Sequence, residues 1–482
     1  MAGIVSFGAY VPRRRLDRAA AFAALGWFNP ALSAVAKGER SAAGWDEDSV
    51  TMAVEAGRDC LTGVDRETIG RLLFASTSAP FADRLNSGIV KEALNLPDDI
   101  ATLDFSGGQR AGLGALIQSL QLAAGTSGPT LCVAAESRSA RPGSEAELTN
   151  GDAGVAMLVD DRHAIAEMVA AHSVTVDFVD HFRAASAPYD YDWEKRWIRD
   201  EGYLKIAEGG ISAALEKAGV DPQSIDAFVF PAPAKGVAEA VAKKAGIRPD
   251  AVRDSLAAGL GYTGTAHAVM MLAHALEEIG PGKTILAAAF GSGVDILILK
   301  TTDLIASLPP RSGVTGSLAR RTVESNYIRF LFANGQIDLD RGMRAEFETK
   351  QPLTALYRNR KAVLALVGGR SSKTGSVQFP KSDIGVDLQD DSVGTLEDYP
   401  LAERTAFVLT HTADNLTYTP DPPALYGMVE FEGGGRMNVE FCDMEQDDLA
   451  VGRPMRMMFR IKSIDEQRQF RRYFWKAAPA VY

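Results

Sequence analysis

Two glycine-rich turns, each opening an apolar helix, hold the residues best suited to chemistry in this chain of 482 residues. In the first, Ser106-Gly107-Gly108 precedes a helix reading through Leu122. A serine there is a nucleophile favoured by the helix N-terminus, which needs a base nearby, or a plain N-cap or substrate hydrogen-bond donor. In the second, Gly261-Tyr262-Thr263-Gly264 opens a helix through Ile279. Tyr262 corresponds to Ser106, so the two are expected to face each other. A tyrosine serves as acid or base if its pKa is lowered; otherwise it packs as pocket wall. His267, on the same helix, is a proton carrier or a satisfied core histidine, and His274 lies two turns beyond. Gly291-Ser292-Gly293 reads as a tight strand-to-loop turn that needs glycine.

The elements that position these turns occur twice. Gly63-Val64-Asp65 with Ile69 and Phe74 is matched at identical spacing by Gly219-Val220-Asp221 with Ile225 and Phe230. Each copy follows a helical stretch, 50–61 and 203–218, and runs into a short apolar strand, 72–75 and 227–230. After the chemistry-bearing turns come the helices and then the strands 130–135 and 284–290. Helices alternating with fully apolar strands predict parallel sheets covered on both faces. The expected fold is therefore α/β: two similar halves, 1–165 and 166–302, related by a pseudo-twofold axis. Residues 303–324, with Pro309-Pro310, read as a linker. Residues 325–482 break into short alternating strands, among them 406–410, 426–432, 437–441 and 455–461, which predict a small all-β barrel.

Composition narrows the function classes. At 46% hydrophobic and 23% charged, the chain has ample material for a core, and its net charge of −11 argues against nucleic acid as a partner. No run of about eighteen apolar residues points to a membrane span. The basic cluster Arg13-Arg14-Arg15 follows the first apolar stretch, the reverse of a secretory signal, so a cytoplasmic location is expected. Three cysteines, Cys60, Cys132 and Cys442, supply neither a disulfide framework nor a four-cysteine zinc site.

Several motifs together carry a resemblance. Gly8-Ala9-Tyr10-Val11-Pro12, Gly44-Trp45-Asp46-Glu47-Asp48-Ser49, the run from Gly151-Asp152-Ala153-Gly154 to Val159, and Phe290-Gly291-Ser292-Gly293 span about residues 1–300. This region resembles the thiolase superfamily, especially archaeal-type hydroxymethylglutaryl-CoA synthase and ketoacyl-ACP synthase III. Val377-Gln378-Phe379-Pro380 and the run from Leu449-Ala450-Val451-Gly452 to Arg456 resemble the OB-fold partner of archaeal acetoacetyl-CoA thiolases, here fused to its synthase-like neighbour. The resemblance implies a layered αβαβα fold, a CoA or acyl-CoA substrate and a homodimer or larger assembly. Gly291, Ser292 and Gly293 would then donate backbone N–H groups to a thioester oxygen.

The family's chemical positions have all changed. Ser106 stands at the position of the cysteine nucleophile, Pro231 at the histidine, Tyr262 at the asparagine and Thr77, in Ser76-Thr77-Ser78, at the glutamate base. The first Cys-x-x-Cys of the partner's zinc ribbon appears as Ser371-Ser372-Lys373-Thr374, so no metal is expected. Arg471-Arg472-Tyr473-Phe474-Trp475 reads as a solvated face or a CoA entrance, and Tyr189-Asp190-Tyr191-Asp192-Trp193, after Asp180-His181-Phe182-Arg183, hints at a bulky acyl substrate.

These features point to a CoA-dependent acyltransferase acting on a β-keto acid or β-ketoacyl thioester. The leading expectation is retro-Claisen cleavage, with catalytic Ser106, Tyr262 and His267 and no cysteine nucleophile. The alternatives are a thiolase-fold retro-aldolase, a hydroxymethylglutaryl-CoA-synthase-like condensation, and a non-catalytic scaffold that partners a thiolase.

Overall fold

The computed structural model describes residues 2–123, 128–391 and 393–480. The chain divides into two compact units. One comprises Met1–Gly44, Asp48–Gly88 and Leu96–Leu331; the other comprises Trp45–Glu47, Ile89–Asn95 and Phe332–Tyr482.

Nine strands of the first unit form one sheet. They are β1 (Gly3–Tyr10), β2 (Arg71–Ala75), β3 (Ala101–Phe105), β4 (Thr130–Glu136), β5 (Ala153–Asp160), β6 (Ala166–Thr175), β7 (Ala227–Val229), β8 (Thr284–Phe290) and β9 (Gly293–Thr301), in the order β7-β8-β9-β6-β1-β5-β4-β2-β3. Apart from the edge strand β3, this order is symmetric about the β6/β1 junction. In one half β1 and β5, then β5 and β4, pair antiparallel, and β4 pairs parallel with β2. The other half repeats that pattern with β6, β9, β8 and β7. The two halves touch through Gly3–Glu167 and Ile4–Ala166.

Helices repeat as well. α1 (Ser49–Cys60) and α3 (Glu208–Ala218) follow the first strand of each half. α2 (Ala111–Ala123) and α4 (His267–Glu278) come later, at equivalent places. Alternate strand residues face different layers, as the period of two requires. Ala227, Val229, Ile285 and Ala287 pack with Leu116 and Leu120 of α2 and with Met271 and Leu272 of α4. Their neighbours Phe228, Leu286 and Ala288 pack on the opposite face against Ile211 and Leu215 of α3. The unit is thus a duplicated, layered αβαβα fold with α2 and α4 in the middle.

Residues 303–324 depart from the linker expectation. Gly313–Ala319 is helical, with Val314 fully buried, and Thr322–Glu324 pairs in parallel with Arg14–Asp17. Apolar burial and strand pairing outweigh the signal from Pro309-Pro310, and the segment is an ordered part of the first unit.

The second unit contains a five-stranded antiparallel sheet. Its strands β10 (Ala406–Asp414), β11 (Ala424–Phe431), β12 (Arg436–Glu440), β13 (Pro454–Asp465) and β14 (Phe470–Pro479) run in the order β12-β11-β10-β13-β14. A bridge between Phe441 and Ala477 joins the two edges, as a small barrel requires. Trp475 is fully buried and donates its indole N–H to the Leu364 carbonyl at 2.9 Å, so it lines no entrance. Val367–Ser371, Val377–Gln378 and Leu396–Pro400 form a three-stranded sheet that carries the ribbon segment. There Ser371 Oγ accepts the N–H groups of Lys373 and Thr374 and donates to the Asp390 carboxylate. Hydroxyls and a carboxylate engaged with one another do not fit a thiolate-bound zinc.

Candidate active site

The site grows from the ends of two adjacent strands. β2 and β4 pair in parallel with Ala75 opposite Ala134, and the same register carried past the strand ends sets Thr77 beside Glu136. The fully buried Glu136 carboxylate accepts from Thr77 Oγ1 at 3.0 Å and from Thr77 N at 3.1 and 3.2 Å. It also accepts from Ser76 Oγ at 3.3 Å, from Ser78 Oγ, and from Thr265 N at 3.2 Å. A carboxylate therefore stands against the residue expected at the family glutamate position, supplied by a neighbouring strand. Thr77 is half-buried, so its hydroxyl lies between Glu136 and the more open side.

Two glycines bring the halves together here. A Cβ on Gly112 would meet the Thr265 carbonyl oxygen at 2.1 Å, and one on Gly264 would meet Glu136 Cγ at 3.0 Å. The glycine-rich turn of the second half therefore lies directly on the start of α2 and on Glu136.

The two turns meet at Gly112 and Thr265, and not through Ser106 and Tyr262 as the repeat suggested. Ser106 is exposed, while α2 begins only at Ala111 after a turn in which Gly107 has φ +100°. Ser106 is therefore not the cap of α2, and it makes no hydrogen bond with another described residue. Among the described residues, no base is hydrogen-bonded to it.

Tyr262 is held by its backbone. Its N–H donates to the Thr149 carbonyl at 2.7 Å, and its carbonyl accepts from Gly151 N at 2.8 Å. Its ring stacks on His267 with centroids 4.5 Å apart. The hydroxyl is buried and has no partner among the described residues. Burial, with Tyr203 nearby, raises its pKa well above the ordinary value. This reverses the lowered pKa expected of an acid–base tyrosine: Tyr262 remains a phenol that can donate a hydrogen bond. Tyr203 lies in the π-helical segment Ile198–Ala207, its ring 4.7 Å from Phe290 and 5.7 Å from Phe230. Pro231, which follows Phe230, is half-buried and supplies no ionisable group.

His267 is structural. Its Nδ1 accepts from Thr263 N at 3.1 Å, and its Nε2 donates to the Ser255 carbonyl at 2.8 Å. With both nitrogens committed, burial pushes its pKa down to about 4, and it acts by fixing Tyr262. The folded state thus resists a proton that the unfolded chain accepts below pH 6.5. Stability from this group is complete above that pH and is lost as the pH falls towards 4, by about 3 kcal/mol. Urea unfolding at pH 7, 5.5 and 4 is expected to show this loss, and His267→Gln to lack that component.

The loop at Gly291 abuts the same region. A Cβ on Gly291 would lie 3.3 Å from Arg110 N and 3.4 Å from Gln109 N. The Gly291 N–H is already donated to the Gly293 carbonyl at 2.9 Å, and Ser292 has a left-handed φ of 49°. Ser292 is exposed, and its hydroxyl lies 3.3 Å from the Phe178 carbonyl.

A charged layer completes the site. Asp190 lies between Arg138, which it binds with Oδ2, and Arg183, which it binds with Oδ1 at 3.1 Å. Arg183 also donates to the Thr77 carbonyl. The aromatic neighbours Phe182, Tyr191 and Trp193, read as an acyl hint, point outward and are more than half exposed. Glu136 and Arg138 do not stand out in the sequence, and Asp190 does so only within its aromatic-rich run. The signal for Glu136 was a carboxylate ending a fully apolar strand, where ligands of parallel sheets gather.

Known proteins share this fold. Residues 215–299 match the family described as 3-oxoacyl-[acyl-carrier-protein (ACP)] synthase III C terminal. A crystal structure of HMG-CoA synthase complexed with CoA superposes with a TM-score of 0.62 at 19% identity, covering 73% of this chain and 95% of that one. A β-ketoacyl-[acyl carrier protein] synthase III from Thermus thermophilus gives 0.53 at 22%, covering 62% and 98%. The fold together with the sequence relatives places the chain among the acyltransferases of the thiolase superfamily. Hydroxymethylglutaryl-CoA synthase of Methanosarcina barkeri is 31% identical over 70% of this chain and 98% of its own length. That of Aeropyrum pernix is 30% identical over 68% and 92%. The chain belongs to the hydroxymethylglutaryl-CoA synthase family. Among the described residues, no helix is long and apolar enough to cross a membrane.

Proposed function

We propose that the protein condenses the α-carbon of an acyl-CoA with the ketone carbon of a β-ketoacyl thioester, without a cysteine-bound acyl group. One observation carries this reading: the Thr77 hydroxyl donates to the buried Glu136 carboxylate at the position matching the family's base. As the substrate α-proton passes to Thr77 Oγ1, the Thr77 proton passes to Glu136, so no free alkoxide forms. The unpartnered Tyr262 hydroxyl donates to the thioester oxygen as enolate charge develops. The Ser292 N–H of the Gly291–Gly293 loop, for which no partner is found among the described residues, is a second donor. The enolate carbon then attacks the ketone carbon, and the ketone oxygen takes up a proton. Water attack on one thioester releases one CoA. Ser106 is a substrate-facing hydroxyl in this scheme, with Pro231 part of the wall.

The relatives' named activity supports condensation over the retro-Claisen cleavage favoured by the sequence. Incubation with acetyl-CoA and acetoacetyl-CoA tests it. Condensation gives loss of acetoacetyl-CoA with net CoA release, whereas net consumption of free CoA overturns it in favour of cleavage.

The assembly reading is a homodimer. β3 is an edge strand whose unpaired side is open, with Leu103 about half exposed, and such edges seek a partner strand. Sedimentation equilibrium should give twice the mass of 51.6 kDa, and a monomer at micromolar concentration would contradict it. The barrel unit is read as the OB-fold relative named by its motifs.

A further inference from the structure

The ketone oxygen needs a proton donor, and the residues at the family histidine and at His267 cannot serve. Pro231 carries no proton, and both nitrogens of His267 are committed. A different histidine stands in the charged layer. His181 Nδ1 lies 3.1 Å from Asp180 Oδ1, which also accepts the His181 N–H at 2.9 Å. His181 Nε2 lies 3.1 Å from the Gln109 side-chain oxygen, in the amide orientation that also accepts from Arg138 Nη1 at 2.9 Å. Both ring nitrogens thus face acceptors. The ring is only partly buried, with a side-chain exposure of 17%.

Its position ties it to the reacting groups. Gln109 follows the glycine turn and lies against Gly291. Arg138 packs on Gly264 beside Glu136 and is held by Asp190, which binds Arg183 on the Thr77 carbonyl. The geometry points to His181, oriented by Asp180, as the general acid that protonates the ketone oxygen of the β-keto substrate, an inference that rests on the condensation reading. The substrate oxygen replaces the Gln109 contact. As the new carbon–carbon bond forms, the Nε2 proton moves to that oxygen while Asp180 keeps the Nδ1 proton. The ring is reprotonated from solvent in the next turnover. A carboxylate holding one ring nitrogen so that the other works towards the substrate is a recurrent way to use histidine.

The test compares His181→Ala and His181→Gln with the native protein, in condensation of acetyl-CoA with acetoacetyl-CoA and in solvent exchange of the acetyl-CoA α-protons. Exchange reports the Thr77–Glu136 step alone. Condensation is expected to fall about 100-fold in both variants, while α-proton exchange persists. Glutamine keeps a donor towards Gln109 but no transferable proton, so its failure separates proton transfer from scaffolding. Added imidazole should partly restore condensation in His181→Ala. Full condensation by His181→Gln overturns the inference, as does loss of both reactions without rescue by imidazole. Absence of α-proton exchange in the native protein would instead bring down the condensation reading itself, and this inference with it.

Discussion

Glu136→Gln is expected to lower kcat for condensation about a thousandfold, within the range for loss of a positioned base. The substitution keeps size and burial but removes the charge that draws the proton from Thr77. It also turns an amide nitrogen towards some of the five groups that now donate to the carboxylate: Ser76, Thr77, Ser78 and the Thr77 and Thr265 amides. Moderate destabilisation of about 1–3 kcal/mol should accompany the loss, because a buried donor is left facing donors. Thr77 separates the chemical effect from the structural one. Thr77→Ser retains the relay and should keep most activity, whereas Thr77→Val breaks it without disturbing the two backbone N–H groups. Steady-state kinetics on the four proteins, with urea midpoints measured in parallel, check the pattern.

Tyr262→Phe should change activity and stability in opposite directions. Loss of one donor to a developing oxyanion costs about 100-fold or more in kcat. Yet the hydroxyl has no partner among the described residues, and removing an unsatisfied buried polar atom should stabilise the ligand-free fold by about 1 kcal/mol. The ring remains stacked on His267, and the backbone bonds to Thr149 and Gly151 are untouched. A higher unfolding midpoint together with lower kcat is the expected signature of a group held in strain for its ligand. If Tyr262→Phe loses stability, the hydroxyl has a structural partner and the proposed role falls.

The duplicated fold was legible because its signals are periodic and local. Helix-forming stretches, apolar strands and the Gly-Val-Asp turns recur at matched spacing, and each half folds by the same rules. Two things were hidden for one reason: they depend on register between distant strands. No spacing along the chain says that Ala75 lies opposite Ala134, and without that pairing Thr77 reads as a lost glutamate instead of a hydroxyl beside one. The same limit misjudged Ser106. Its equivalence with Tyr262 is real in chain order, but the turn at Gly107 carries it outward while Gly112 makes the close approach to Thr265. His267 shows the reverse case, a polar residue on an apolar helix whose two nitrogens are satisfied by Thr263 and Ser255. Asp190 was visible only as part of an aromatic-rich run, and the rings that drew attention face outward while the carboxylate binds two arginines.

The absence of a suitably placed thiolate and the presence of Glu136 belong to one account. Cys60 and Cys132 are buried, and burial raises the pKa of each thiol to about 12, so neither is available as a nucleophile. Activation of the substrate then rests on the carbon acid. The most direct measurement is exchange of acetyl-CoA methyl protons with deuterium from solvent, followed by NMR, for the native protein, Thr77→Val and Glu136→Gln. Exchange by the native protein that is lost in both variants is the expected result. Equal exchange in Glu136→Gln, or none in the native protein, would contradict the assignment of the Thr77–Glu136 pair as the base.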